Sequence, residues 1–559
     1  MSQNSAAEAP ESRSERVAQA YRETVERFET GSGYAVKEVY GPDDVAGLDY
    51  AGDLGDPGSY PYTRGIYPSM YRGRLWSRRQ LCGFGSPRLT NERIHYLIDT
   101  GESAVNVAFD IPTNSGVDAD HALARGDVGL QGVPVSTIED MEEVLDGIPL
   151  DKVSVNLSTV GVTMLMAYYL VAARRRGFDA RALRGTILND TLGDPFCGYK
   201  RSFVPPDLGL KLSIDCVEYC INHVPKWNPL SVDGYNIREN GITAPQEIAF
   251  TFALAREYLD EGLRRGLDID DLAPRITFTA SAEMDFFEEI CKLRAARRLW
   301  ARIIHDDYGG RDPKALKYKF HVHTAGSSLT RQQPLVNAIR VTVEAMAGVL
   351  GGTQSLHTCS YDENSGLPTE ESVELAVRTQ EVLAFESRIG NVADPLAGSY
   401  YVESLTDTME AEIRKLLAAI AEQGGMMMAQ ETGWADRLID AEALRHHKQV
   451  EAGERTVVGV NRGISEIDEE REVVVQEVPE AEVRAHVERL GRFKEARDKK
   501  ALEPALAGLR EQAAGRAVNL FPAAMEAIEA GATLGELNGY IRQGFGYSYD
   551  DLGANEAPF

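Results

Sequence analysis

The chain has 559 residues, 43% apolar and 26% charged, with a formal net charge of −27 and a pI near 4.9. That length suggests one large core domain with one or two smaller units, and the acidity argues against nucleic acid as a bulk partner. No apolar run approaches the ~18 residues of a membrane span, the opening "MSQNSAAEAPESRSER" lacks the apolar stretch of a secretory signal, and Cys82, Cys197, Cys216, Cys220, Cys291 and Cys359 read as reduced thiols of a cytoplasmic protein.

Residues 1–12 have a disordered composition, and 13–29 follow with amphipathic helical spacing; we take 1–55 as an N-terminal arm. An unusual segment comes next. Between Asp56 and Glu92 there is no acid, and "YTRGIYPSMYRGRLWSRRQLCGFG" carries Arg64, Arg72, Arg74, Arg78 and Arg79 among aromatics. Such an island serves either a small anionic ligand or acids of the same or another subunit.

From Arg79 onward short β-like runs alternate with turns and amphipathic helices. The runs are 79–85, 103–110, 152–159, 184–190, 228–236, 275–281, 317–326 and 352–358. Eight strands alternating with helices predict a (β/α)8 TIM barrel over residues 56–400, an α/β fold. Barrel interiors are usually Val, Ile and Leu. Here the alternating positions hold Ser154, Asn156, Ser158, Thr277, Thr279, Ser281, His321, His323 and Ser355. Small polar residues on one face predict an open, wet lumen with a long polar ligand along its axis. His321 and His323 fall on one side of their strand. Metal is the weakest of three readings for them, after substrate contact and a satisfied lumen role. Cys216 and Cys220 lie a helical turn apart but have no second pair at zinc spacing, so no metal is expected there. Past residue 400 long helices predict a C-terminal helical region, 401–559, with "ISEIDEEREVVVQEV" as a linker within it.

Several stretches then carry a family likeness: "YPSMYRGRLWSRRQ", "VAFDIPTNSGVDAD", "RGDVGLQGVPVSTIEDM", "EAMAGVLGGTQSLHT", "ADPLAGSYYVE" and "VVGVN". Across roughly residues 35–465 the chain resembles the large subunit of adenosylcobalamin-dependent acyl-CoA mutases, the methylmalonyl-CoA mutase family, and among them the isobutyryl-CoA and 2-hydroxyisobutyryl-CoA type. The resemblance implies a barrel pierced by coenzyme A and radical 1,2-rearrangement at its cobalamin-facing end. Arginine forks suit the CoA phosphates, and Tyr67, Ser69, Met70, Arg74, Ser77 and Arg79 match the family's CoA contacts. It further implies substrate contacts at Asn106, Asn156, Asn228, Arg275, Thr277, His321, Gln354 and Ser355. It places Asn114, Glu239, Gly326 and Glu363 near the adenosyl group.

No Asp-x-His-x-x-Gly cobalamin motif occurs. The resemblance therefore implies a separate small subunit that carries it and holds most of the cobalamin, in a heterotetramer of two large and two small subunits. The family's methylmalonyl enzymes hold the free carboxylate with a first-strand tyrosine and an arginine after the fourth strand. Here those positions are Leu81 and Gly198 or Tyr199, with Lys200 and Arg201 as a different route to a carboxylate. An unpaired buried carboxylate is costly, so a more apolar or bulkier acyl group is expected, lined by Leu81, Leu188 and Phe196. The family's Ser-Gly-Tyr-His after the fifth strand is "DGYN" here. Tyr235 is the candidate for holding the migrating group. Asn236 can donate a hydrogen bond but not a proton, and His323, where the family usually has glutamine, is the candidate replacement acid. The alternative is a non-catalytic acyl-CoA-binding paralogue.

Overall fold

The computed structural model describes residues 28–102, 104–159, 163–197, 204–366, 368–465 and 478–559. The predicted helix at 13–29, most of the predicted linker, and the stretch 198–203 with Gly198, Tyr199, Lys200 and Arg201 lie almost wholly outside the described residues.

Eight strand segments follow one another in chain order. They are β1 (77–82, with ladders at Ser77–Arg78 and Leu81–Cys82), β2 (Ala104–Ala108), β3 (Ser154–Ser158), β4 (Gly185–Ile187), β5 (227–233, with ladders at Trp227–Asn228 and Leu230–Asp233), β6 (Ile276–Ala282), β7 (Phe320–Thr324) and β8 (Ser355–His357). All pairings are parallel. The first half of β1 pairs β8 and its second half pairs β2; the first half of β5 pairs β4 and its second half pairs β6. Two five-stranded sheets are thereby joined at both seams by the chain itself, in the strand order of a (β/α)8 barrel. One seam has a simple chemical cause. Pro229 has no N–H to give a ladder, so β5 breaks there, and Ser231 N resumes by donating to Leu188 O at 2.8 Å.

The helices that return between strands include α1 (Pro87–Thr100), α2 (Ile138–Val144), α3 (Leu165–Arg175), α4 (Pro206–His223), α5 (Gly234–Glu239), α6 (Ala244–Arg264), α7 (Phe286–Arg302), α8 (Pro334–Leu350) and α9 (Glu370–Glu381). α1 shows why they start and stop where they do. Ser86 caps it by accepting from Leu89 N, a proline opens it, and Gly101 at φ 115 ends it in the left-handed region. The expected strand 228–236 ends earlier, at Asp233. That side chain accepts from Asn236 N and caps α5, which turns "GYN" from strand into helix.

Beyond the barrel, α10 (Tyr400–Glu422) packs against α6 and α7, and α11 (Trp434–Glu451) follows it. α12 (Glu480–Ala496), α13 (Lys499–Gly515), α14 (Phe521–Glu529) and α15 (Leu534–Gly544) complete the fold. Leu502, Leu506, Phe521, Ile528 and Leu537 share one buried cluster with Leu157, Tyr168 and Trp227, so the last helices continue the core of one barrel half. Among the described residues no helix is long and apolar enough to cross a membrane.

Candidate active site

A cavity of about 740 Å³ runs through the barrel. Register explains its polarity. In one sheet Leu81 lies opposite Asn106, Asn106 opposite Asn156, Asn156 opposite Thr186, and Thr186 opposite Asn228. In the other, Thr279 lies opposite His321, His321 opposite Ser355, and Ser355 opposite Ser77. A belt of short polar side chains cannot fill the lumen as branched aliphatics would, and the space stays open. Ser158, Thr277 and His323 also line it. Ser154 and Ser281 do not: the first accepts from Arg79 and the second is wholly buried.

Strand direction gives the cavity two chemically different ends. Arg74, Ser77, Lys319 and Gln354 precede or begin their strands and stand at the N-terminal mouth with Tyr67, Ser69, Met70, Arg79 and Asn228. Arg79 is partly buried. It donates to Ser154 Oγ at 3.3 Å, its Nε has no partner, and burial with the neighbouring Arg74 pushes its pKa down to about 10. Among the described residues neither Arg74 nor Arg79 has a carboxylate within ion-pair distance, whereas Arg64 pairs with Asp394 at 3.4 Å. The mouth thus presents two guanidinium groups without ion-pair partners, one of them with a buried, unpartnered Nε, an arrangement that suits an anionic ligand. Lys319 adds to it; burial holds its pKa down at about 8, and its Nζ donates to Asn228 Oδ1 at 3.2 Å.

The C-terminal end carries Leu81, Asn106, Phe109, Asn114, Leu188, Cys197, Asp233, Tyr235, Asn236 and His323. Leu81 is 39% exposed because it faces this empty space. Two predicted residues are elsewhere. Phe196 is buried against Phe250, because the short turn Asp194–Phe196 points it into the core and leaves Cys197 on the cavity wall. Arg275 donates to Pro225 O at 2.6 Å, outside the cavity lining. Phe109, Cys197, Lys319 and Asp233 were not singled out from sequence; the only signal for Asp233 was its place in "DGYN".

His323 does not have the properties of an acid. Burial, then the nearby His357, lowers its pKa to about 3, and its Nδ1 lies 2.8 Å from Thr324 O, which fixes the ring proton there. It is a neutral imidazole with an acceptor nitrogen to spare. His321, also neutral through burial, meets Ser355 Oγ at 2.8 Å through Nδ1, so the two histidines do not form a chelating pair. His323, His357, Cys359 and Glu363 bring ligand atoms within 4.8 Å of one another. However, His357 Nδ1 accepts from Leu81 N, which leaves its proton on Nε2, and His323 Nδ1 is committed to a carbonyl. The donor set suits hydrogen bonding better than a cation.

Glu239, Gly326 and Glu363 converge beside Tyr235. A Cβ added to Gly326 would lie 3.2 Å from Glu239 Oε2, 3.3 Å from the Tyr235 hydroxyl and 3.8 Å from Glu363 Oε1. Burial raises Glu239 to about 8, while the hydrogen bond and charge of His357 hold Glu363 down at about 2 against its own burial. Asn114 lies in the cavity lining, with Nδ2 donating to Phe109 O and a buried Oδ1 that has no partner. The glycine-floored cradle of Glu239, Gly326 and Glu363, with its carboxyl groups, fits a group presenting several hydroxyls or amino hydrogens.

Comparison with known proteins agrees with this architecture. The family described as Methylmalonyl-CoA mutase matches residues 29–547. The 2-hydroxyisobutanoyl-CoA mutase large subunit of Aquincola tertiaricarbonis is 37% identical over 516 residues, 92% of this chain and 91% of that subunit. Methylmalonyl-CoA mutase of Rhizobium meliloti (strain 1021) is 39% identical over 521 residues, 93% of this chain and 72% of that enzyme; for the human mitochondrial enzyme the figures are 39%, 93% and 68%. A parallel barrel with a polar axial cavity, in company with relatives named mutases, defines an isomerase of the intramolecular transferase class. The chain belongs to the methylmalonyl-CoA mutase family, and cobalamin dependence is implied by that membership.

Proposed function

We propose that this chain is the catalytic large subunit of an adenosylcobalamin-dependent acyl-CoA mutase. It would work with a separate cobalamin-binding small subunit, two of each, on an apolar or bulky acyl group. The observation that carries the reading is the pair of guanidinium groups at one mouth of an axial cavity, Arg74 exposed and Arg79 partly buried, neither with an ion-pair partner among the described residues. Guanidinium forks there suit the CoA phosphates, and the polar belt suits the amides of the pantetheine arm. β6, with seven residues at about 3.3 Å each, gives that arm roughly 20 Å of axis.

Leu81, Leu188 and Phe109 then meet the acyl group. Arg74, Arg79 and Lys319, the basic side chains among the described lining, all stand at the opposite mouth, which disfavours a free acyl carboxylate. Asn114, Glu239, Gly326 and Glu363 would hold the adenosyl group. When bound, the cofactor supplies a carbon radical that removes a substrate hydrogen. The protein positions the migrating thioester carbonyl group against Tyr235 and keeps water and other hydrogen donors out of the lumen. The separate small subunit is supported by a relative named a large subunit, 91% of which this chain covers.

A thermal-shift series on the purified chain tests the reading, with free CoA, methylmalonyl-CoA, isobutyryl-CoA and bulkier branched or aromatic acyl-CoAs. Stabilisation by apolar acyl-CoAs above methylmalonyl-CoA, then turnover with a small subunit bearing Asp-x-His-x-x-Gly, is the expected result. Absence of any shift removes the acyl-CoA reading. Binding without turnover beside a cognate small subunit would favour a non-catalytic acyl-CoA-binding paralogue, for which Asn236 in place of histidine is the motivating observation.

A further inference from the structure

Asp233 is the one carboxylic acid among the described residues that line the cavity. The cavity is otherwise free of acids, as a polyanionic ligand requires, so a carboxyl group inside it needs a reason. Asp233 ends β5 at the C-terminal end, beside Tyr235 and opposite Thr279 on β6. Its Oδ1 accepts from Asn236 N at 3.3 Å, and its Oδ2 accepts a short hydrogen bond from Asn236 Nδ2. Behind it lies a second buried carboxyl, Asp190, whose Oδ2 accepts from Asp233 N at 2.8 Å and whose Oδ1 accepts from Tyr258 at 2.7 Å.

We propose that Asp233, in its carboxylic acid form, donates to the carbonyl oxygen of the substrate thioester, with Asn236 orienting it. The proposal rests on the acyl-CoA mutase reading. It also explains a pattern in the sequence: the two departures in "DGYN" from the family's Ser-Gly-Tyr-His fall on two residues hydrogen-bonded to each other. An acid has moved from position 236 to position 233.

The chemistry balances without a co-reactant. As the thioester group migrates, its carbonyl oxygen gains electron density. The Oδ2–H bond of Asp233 lengthens while an O–H bond forms at that oxygen, and the electron pair stays on Asp233 as carboxylate. The proton returns when the carbonyl is restored. Asn236 Nδ2 stabilises the transient carboxylate.

The surroundings favour the acid form. Burial, then repulsion from Asp190, raises Asp233 to about 7, with the Asn236 hydrogen bonds acting in the other direction. The nearby titratable groups are Asp190 and Tyr258 behind it, Cys197 and Asp194 from the turn after β4, and Tyr235 and Glu239 on its own helix. Glu247 of α6, which packs against the same turn, is tied to Lys292 and Arg238. Cys197 and Tyr235 are driven well above their ordinary values and His323 down to about 3, so none of these three exchanges a proton near neutrality.

The test uses the purified chain with [1-13C]isobutyryl-CoA and the infrared band of the labelled carbonyl. In the unmodified protein the band is expected at lower wavenumber than in free ligand at pH 6, with the shift fading as pH rises through about 7. Asp233→Asn and Asp233→Ser should abolish the pH dependence of the band, because an amide or a hydroxyl can donate a hydrogen bond but does not titrate in this range. Asn and Ser cap helices about as well as Asp, so α5 keeps its start, and a melting curve verifies the fold. In the assembled enzyme either variant should lower kcat about 10²–10⁴-fold, the range of general acid catalysis. Binding with a band that neither the variants nor pH alter overturns the proposal alone. Absence of binding by calorimetry overturns the acyl-CoA reading and the proposal with it.

Discussion

The imidazole of His323 lies over the ring of Tyr235, with centroids 3.9 Å apart and planes 32° from parallel. His357 lies against His323 with centroids 4.0 Å apart, so the three rings form one stack at the C-terminal end of the lumen. Burial, with the neighbouring His357, outweighs the attraction of the Glu363 carboxylate close by, which is why His323 stays neutral. His323→Gln should therefore leave the shape of the pH–rate profile between about pH 5 and 8 unchanged while lowering the rate through poorer positioning of Tyr235. Loss of a titration step in this variant would show that His323 does carry a working proton.

Arg79 gives a prediction with opposite signs for two measurements. Replacing it with methionine removes a charge-assisted contact to an anionic ligand, about 2 kcal/mol or roughly 30-fold in Kd. It also removes a partly buried guanidinium with an unpartnered Nε. The unliganded variant should melt no lower than the parent. Equal affinity for CoA in both proteins would take Arg79 out of the binding site.

Leu81 is open to the cavity at the acyl end. Leu81→Tyr fills part of that space with a larger ring, and bulky acyl-CoAs should lose more affinity than small ones in a thermal-shift ranking. An unchanged ranking would mean that Leu81 does not contact the acyl group.

The wall of the cavity is held from behind by a buried ion cluster. Lys292 Nζ lies 2.7 Å from Glu247 Oε2 and donates to Ser281 O at 2.8 Å, while Glu247 Oε1 accepts from Ser281 N at 2.9 Å. Lys292→Met leaves Glu247 and Glu289 with only the longer contacts of Arg238, at 3.7 and 3.5 Å, a loss of about 3 kcal/mol. The urea midpoint of the chain should fall accordingly; a midpoint equal to the parent's would mean that the two carboxyls take up protons instead.

Glu102 is buried, its Oε1 has no partner, and burial raises its pKa from 4.5 to about 7. The carboxyl keeps its proton in the folded chain at a pH where the unfolded chain has lost it. Its contribution is thus fully present below about pH 4.5 and is lost as pH rises to about 7, a change of about 3 kcal/mol. Glu102→Gln should flatten the stability–pH curve over that window, as read from urea midpoints at several pH values.

The eight-strand rhythm was legible because turn residues and amphipathic helices punctuate the chain regularly, and the polar lumen because strands alternate with period two. What escaped sequence reasoning lay at strand ends. There a single turn decides which way a side chain points: Phe196 turns inward and Cys197 outward within one short helix, and Asp233 serves as helix cap and cavity wall at once. Pro229 encodes the break in β5 locally, but the break in β1, which makes one strand serve two sheets, depends on long-range pairing that local pattern does not encode. The arginine island was legible as chemistry, because charge that runs against the composition of the whole chain stands out. Its division of labour was not: Arg64 engages Asp394, Arg78 donates to Gly101 O, and Arg74 and Arg79 face the cavity.

The polar belt of the barrel has a consequence for discrimination. Asn114 Oδ1, Asn156 Oδ1 and Arg79 Nε are spare valences distributed along the lumen, and together they act as a mould whose missing half is the ligand. A thioester on a truncated carrier would cover some of these atoms and strand the others without water, at about 1–3 kcal/mol for each stranded group. The barrel thus measures its ligand by length, rejecting short thioesters for the contacts they fail to make.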